Sequence, residues 1–262
     1  MLFHKYLGIL SATALLMSAS AMATIKSKTL VYAKGTETFE GLLVYPDTLK
    51  GTAPGILMLP NWMGVTDETK TQAERFANLG YIVFAADIYG KGVRPKTPEE
   101  AGKLAGLYKG DRKLYREHVL LGLEELKKQS NVDTSRLAGV GYCFGGTGAV
   151  ELAHTGAAGV KSILSFHGSL VSPTPAEGKN IKAHVLALQV ADDPFVKPED
   201  LDAFEQEMAD GKVDWQLVKF GGAVHSFTEK GAGTDNSKGA AYNEKADKRS
   251  FAYAELFLKE TL

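Results

Sequence analysis

Two hydrophobic periodicities alternate along this chain. Residues 55–60 and 81–86 are continuous apolar runs, the pattern of strands buried on both faces, and 136–140, 161–166, 183–190 and 213–220 supply further strands. Residues 29–33 and 39–45 read as two edge strands, the second closed by Pro46. Between the runs the period becomes helical. Thr66-Asp67-Glu68 opens a helix through Asn78, with Ala73, Phe76, Ala77 and Leu79 on one face and Gly80 at its end. Pro98-Glu99-Glu100 begins a shorter one, Pro sitting in the first turn where its missing N–H costs nothing. Residues 111–129 form a longer amphipathic helix with Leu114, Val119, Leu120, Leu123 and Leu126 inward, and 147–154, 198–210 and 241–262 supply the others. This alternation, unbroken by a linker, predicts one α/β domain over residues 24–262: a mostly parallel central sheet with helices on both faces. Ligands meet such a sheet at the carboxyl ends of its strands.

One junction between strand and helix carries chemistry. Gly141-Tyr142-Cys143-Phe144-Gly145-Gly146 has the spacing of the G-x-[Ser/Cys]-x-G elbow of α/β-hydrolases, where a sharp turn lifts a nucleophile to the sheet edge. Glycines flank it because side chains at 141 and 145 would collide in so tight a turn. A lone Cys packed among turn-forming glycines gives the same pentapeptide, so residues downstream decide.

Composition narrows the choice. With 44% hydrophobic and 23% charged residues over 262 positions and a formal net charge of −1, the chain is an ordinary globular sequence without a basic surface for nucleic acid or anionic membrane. Residues 1–23 differ from the rest. His4 and Lys5 precede an apolar run over 7–19, and Ala21-Met22-Ala23 is an A-x-A site, together predicting a secretory signal peptide cut after Ala23. The run is too short for a stable membrane anchor, so the expected destination is the periplasm. One Cys excludes an internal disulfide, and a free thiol in an oxidising compartment calls for a reason. No Cys/His cluster has metal-ligand spacing and no cofactor is predicted.

Two later loops supply partners for a nucleophile. Gln189-Val190-Ala191-Asp192-Asp193-Pro194-Phe195-Val196 follows a strand; Asp193 is preferred over Asp192 as an acid, since Pro194 fixes the turn after it. His225, in Gly221-Gly222-Ala223-Val224-His225-Ser226-Phe227, follows the last strand. Cys143, Asp193, His225 is the nucleophile–acid–base order of the α/β-hydrolase scaffold. His167 is placed where it lines a pocket without needing a catalytic role, and the remaining histidines lie on helices, at a strand start or in the leader.

The elbow, Ala86-Asp87-Ile88-Tyr89-Gly90, Asp193-Pro194-Phe195-Val196 and His225-Ser226-Phe227 together resemble the dienelactone hydrolase family of α/β-hydrolases, from about Phe39 to the C-terminus. The resemblance implies Cys143 as nucleophile, His225 as base and Asp193 as its orienting acid. It implies an oxyanion hole from the backbone N–H groups of Phe144 and of the Asn61-Trp62 loop, here taken as Trp62. Asn61, Met63, Tyr89 and Phe195 are the expected pocket residues for a small ester or lactone. The chain departs from the family in three places. Asn61 aligns with a Glu that pairs with the Cys; Glu229 and the Pro98 region align with arginines that bind a substrate carboxylate. Arg94 or Arg112 are candidate replacements, otherwise solvated loop charges. An acidic residue in place of such a clamp repels an acidic substrate, so the reaction type carries over better than the substrate. A secreted thiol or redox sensor, which lacks a resolving Cys, and a catalytically silent binding protein are the alternative readings.

Overall fold

The computed structural model describes residues 24–262; the signal-peptide reading of residues 1–23 lies outside them. Eight strands form one sheet: β1 (Ile25–Lys34), β2 (Glu37–Pro46), β3 (Ala53–Leu59), β4 (Ile82–Ala85), β5 (Val132–Tyr142), β6 (Val160–Phe166), β7 (His184–Val190) and β8 (Trp215–Phe220). Six α-helices accompany them: α1 (Asp67–Ala77), α2 (Pro98–Gly110), α3 (Arg112–Lys127), α4 (Phe144–His154), α5 (Pro198–Asp210) and α6 (Glu244–Thr261). The strand order is β1-β2-β4-β3-β5-β6-β7-β8, parallel from β4 to β8, which is the mostly parallel α/β-hydrolase arrangement.

Two expectations change. Only β1 is an edge on that side; β2 pairs antiparallel with β1 and also with β4. Its alternating burial mimics an edge because an antiparallel strand presents one face to the core and the other to partial solvent. The last helix begins at Glu244 instead of residue 241, capped by the Asn243 side chain on the Ala246 N–H. Residues 240–243 are extended because they brace another loop: Ala241 N–H donates to the His225 carbonyl and Asn243 N–H to that of Phe227.

The sheet separates two apolar layers, one holding Leu57, Phe84, Leu123 and Phe144, the other Ile56, Phe76, Phe166 and Leu258. Each such buried side chain contributes roughly 1.5–3 kcal/mol relative to exposure. Helix α4 is buried along its whole length, so its small residues Gly145, Gly146, Gly148 and Ala149 let it lie close against β3, β5 and β6. The chain reverses direction across the sheet at β3, which has β4 on one side and β5 on the other. Sheets of this kind bind ligands at such a switch, here the carboxyl ends of β3 and β5. The loop at 60–64 and Cys143 stand there.

Candidate active site

Strand β5 passes into helix α4 through one residue, Cys143, at φ 54°, ψ −116°. A non-glycine residue in this region costs of order 1–3 kcal/mol and persists only where its surroundings enforce it. They do. A Cβ at 141 would strike the Gly145 carbonyl across the turn, whereas one at 145 would strike the Leu59 carbonyl of β3. The second glycine thus answers to the neighbouring strand and not to the turn itself. A Cβ at 146 would come within 2.7 Å of Ser165 Oγ.

Four adjacent strands each deliver one polar side chain to this edge. Cys143 follows β5, His167 follows β6, Asp193 follows β7 and His225 follows β8. His225 Nε2 lies 3.1 Å from Cys143 Sγ and His225 Nδ1 lies 2.9 Å from Asp193 Oδ2. Asp193 Oδ1 accepts the Phe195 N–H at 2.9 Å, which fixes the carboxylate. Asp192 points elsewhere. Its Oδ2 accepts the Gly222 N–H at 3.1 Å and ties the β7 loop to the His225 loop. Burial opposes charge on His225, but hydrogen bonds and opposite charge from Asp193 and Cys143 outweigh it and lift the imidazole to about 10. The ring thus faces a sulfur at the N-terminal end of α4.

Phe144 is the first residue of α4, where an N–H has no intrahelical acceptor. Across the crevice, the Asn61 side chain accepts the Met63 N–H at 2.9 Å and its carbonyl accepts the Gly64 N–H at 3.0 Å, shaping the loop that carries Trp62. Tyr89 joins the two sides: its hydroxyl donates to the Trp62 carbonyl at 2.9 Å and its ring stacks on Phe144 at 5.6 Å. It is largely buried, so it acts as a strut behind the loop more than as an open wall. Met63 and Trp62 are half-buried, and Phe195 is exposed with its edge toward His225, ring centroids 5.3 Å apart.

The two arginine candidates are committed elsewhere. Arg94 binds the buried Asp87 at 3.2 Å and the carbonyls of Gly90, Val93 and Glu40, holding the Asp87-Ile88-Tyr89-Gly90 loop. Arg112 pairs with the buried Glu151 at 3.1 Å. Neither is a solvated loop charge. Pro98 starts α2 after the Thr97 cap. Glu229 lies beside Asn61 with Glu68, Gln72 and Tyr142 around it, and its Oε1 has no hydrogen-bond partner. Burial raises its carboxyl to about 7, against the opposing pull of the Asn61 amide and of His225. A carboxyl from the His225 loop thus lies beside Asn61.

His167 stands closer to the chemistry than its sequence context suggests. It is fully buried, takes φ 40°, and its ring meets the His225 ring edge-on at 4.9 Å. The signal that finds it is register: Tyr142 pairs with Phe166 and Phe166 with Leu188, so Cys143 and His167 are the first residues past two neighbouring strand ends. Their N–H groups continue the ladder to Phe166 and Leu188 carbonyls, both at 2.9 Å.

The model of the Dienelactone hydrolase family matches residues 39–262. The solved structure of m3DLH is 34% identical with a TM-score of 0.87, covering 91% of this chain and 99% of that one. A dienelactone hydrolase-like promiscuous phosphotriesterase from metagenomic libraries is likewise 34% identical, with a TM-score of 0.85 over 90% of this chain and 98% of that one. A probable 2-oxo-3-(5-oxofuran-2-ylidene)propanoate lactonase of Bradyrhizobium sp is 25% identical over 189 residues, 68% of this chain and 75% of that protein.

Proposed function

Because the chain belongs to the dienelactone hydrolase family, we propose that Cys143, His225 and Asp193 form a triad that hydrolyses carboxylic esters or lactones. The observation that carries this reading is the unbroken path from Asp193 through His225 to Cys143, at 2.9 and 3.1 Å. The thiolate of Cys143 attacks the carbonyl carbon. The negative charge that develops on the carbonyl oxygen is met by the N–H groups of Phe144 and Trp62, donors already oriented by α4 and by the Tyr89 strut. Protonated His225 gives its proton to the leaving oxygen, and the neutral ring then takes one from water as that water opens the thioester. Asp193 keeps the ring in the orientation that serves both steps.

The substrate is a neutral ester or lactone. Arg94 and Arg112 are held by Asp87 and Glu151, and Glu229 stands beside Asn61, so no cation of this group waits for a substrate carboxylate. Residues 1–23 direct the chain to the periplasm, where a thiol guarded by an ion pair with His225 remains a nucleophile. A panel of activated neutral and carboxylated esters and lactones tests the reading. Neutral members should turn over, with carboxylated ones at least tenfold slower in kcat/KM. An activated phosphotriester belongs in the panel because of the promiscuous phosphotriesterase neighbour. Stoichiometric thiol modification without turnover would contradict the hydrolase reading.

A further inference from the structure

Hydrolysis as described leaves His167 unused. Its ring is wholly buried, its Nε2 lies 2.9 Å from Thr228 Oγ1, and its Nδ1 has no partner. A buried ring nitrogen without a partner is costly, so its presence near a thiol asks for a ligand. One ligand atom from each of Cys143, His167 and His225 lies within 4.8 Å of the others. Sequence spacing cannot show this cluster, because its members follow three different strands.

We propose that Cys143, His167 and His225 form a soft-metal site that takes Zn(II) and thereby arrests the nucleophile reversibly. One thiolate and two imidazoles are the borderline-soft donors that Zn(II) prefers, and a water completes the tetrahedron on the open side of the half-buried Cys143. Both imidazoles already have their second nitrogen anchored. His225 Nδ1 is held by the Asp193 carboxylate at 2.9 Å and His167 Nε2 by Thr228, which leaves His225 Nε2 and His167 Nδ1 for the metal. Such outer partners fix ring orientation in metal sites and are worth about 10–100-fold in affinity. Bond lengths near 2.3 Å to sulfur and about 2.0 Å to nitrogen put donors about 3.5 Å apart in a tetrahedron. The 3.1 Å sulfur–nitrogen contact must therefore open slightly while His167 closes in. The thiolate–imidazolium pair carries one proton. Metal binding releases it, forms one Zn–S and two Zn–N bonds, and changes no oxidation state.

Chelator-treated full chain should be titrated with Co(II) and Cd(II) without substrate, so that the readout does not depend on hydrolysis. The expected result is one metal per chain, with a Cd–thiolate charge-transfer band, tetrahedral Co(II) bands and one proton released. His167→Gln should weaken Co(II) and Cd(II) at least tenfold, Thr228→Val about tenfold, and Cys143→Ser should abolish the Cd band. Circular dichroism reports whether each variant is folded. Zn(II) should displace Co(II) and inhibit ester turnover at the same concentration. A wild-type chain with no band at millimolar metal overturns the proposal, as does an affinity that His167→Gln and Thr228→Val both leave unchanged. If the bands form on a chain with no esterase activity, the hydrolase reading fails and the metal site stands.

Discussion

Two histidines in this fold, one buried and one largely so, are gripped by carboxylates, and only one has a sulfur opposite its second nitrogen. His225, at the carboxyl edge of the sheet, touches Asp193 through Nδ1 and Cys143 through Nε2. His154, the last residue of α4, touches Glu207 of α5 through Nε2 at 2.8 Å and faces Glu151 through Nδ1 at 3.9 Å. Glu151 in turn meets Arg112 and Arg116. The electrostatics match. Burial works against both cations, and neighbouring acids win in both, raising His154 to about 9 and His225 to about 10. What differs is the second nitrogen's partner and its access. His225 faces a sulfur on a strained backbone beside a crevice, with 14% of its side chain exposed; His154 faces a second buried acid at 0%. In the triad proposed above, a charged imidazole is a strut in one place and a proton carrier in the other, decided by what stands opposite.

This contrast can be broken at several points. Removing the nucleophile in Cys143→Ala should cut kcat/KM for an activated ester by 10³-fold or more, about 4 kcal/mol of transition-state stabilisation. Cys143→Gly should be equally inactive yet more stable than Cys143→Ala by about 1 kcal/mol in urea unfolding, since glycine tolerates φ 54°. Asp193→Asn keeps the shape but spoils the ring's orientation and charge. It should lower kcat roughly 10²–10⁴-fold, read from steady-state turnover of the same ester.

His154→Gln should do the reverse, costing about 2–4 kcal/mol of stability by leaving Glu207 buried without a cation, although Glu151 keeps Arg112 and Arg116, while kcat stays within a few-fold. The folded state holds the His154 proton to about pH 9 and the unfolded chain to about 6.5. Its stabilisation is therefore complete below about 6.5 and fades as pH rises through about 9. Thermal midpoints scanned across that window should fall in the wild type and fall less steeply in His154→Gln, where the slope left over comes from His225.

Glu229 gives the smallest effect and the opposite sign. Its folded-state value of about 7 lies above the unfolded carboxylate range, so ionising it costs stability as pH rises from about 4.5 to 7. Glu229→Gln should gain on the order of 1 kcal/mol at pH 8 and nothing at pH 4, discounted for its partial exposure.

Much of this is legible in the chain. The order Cys143, Asp193, His225, the choice of Asp193 over Asp192, and the strand–helix alternation all rest on local signals: turn glycines, a following proline, apolar run length. What the chain hides depends on pairing. β2 reads as an edge because half-burial looks alike on an edge strand and on an antiparallel inner one. Residues 241–243 have helical composition, but backbone bonds to the His225 loop hold them extended. His167 needs the register of β5 against β6, and Glu229's place beside Asn61 needs two loops to meet. Arg94 and Arg112 carry no mark of their partners in the sequence.

The central claim is that the Cys143 sulfur forms a bond to the acyl group. Mixing the chain with an activated ester, quenching in acid within milliseconds to seconds and measuring intact and peptide masses tests it directly. The expected result is one acyl group per chain, mapped to the peptide containing Cys143, forming before steady state and decaying at kcat. Acylation at another residue, or full turnover in Cys143→Ala with no adduct, would contradict it.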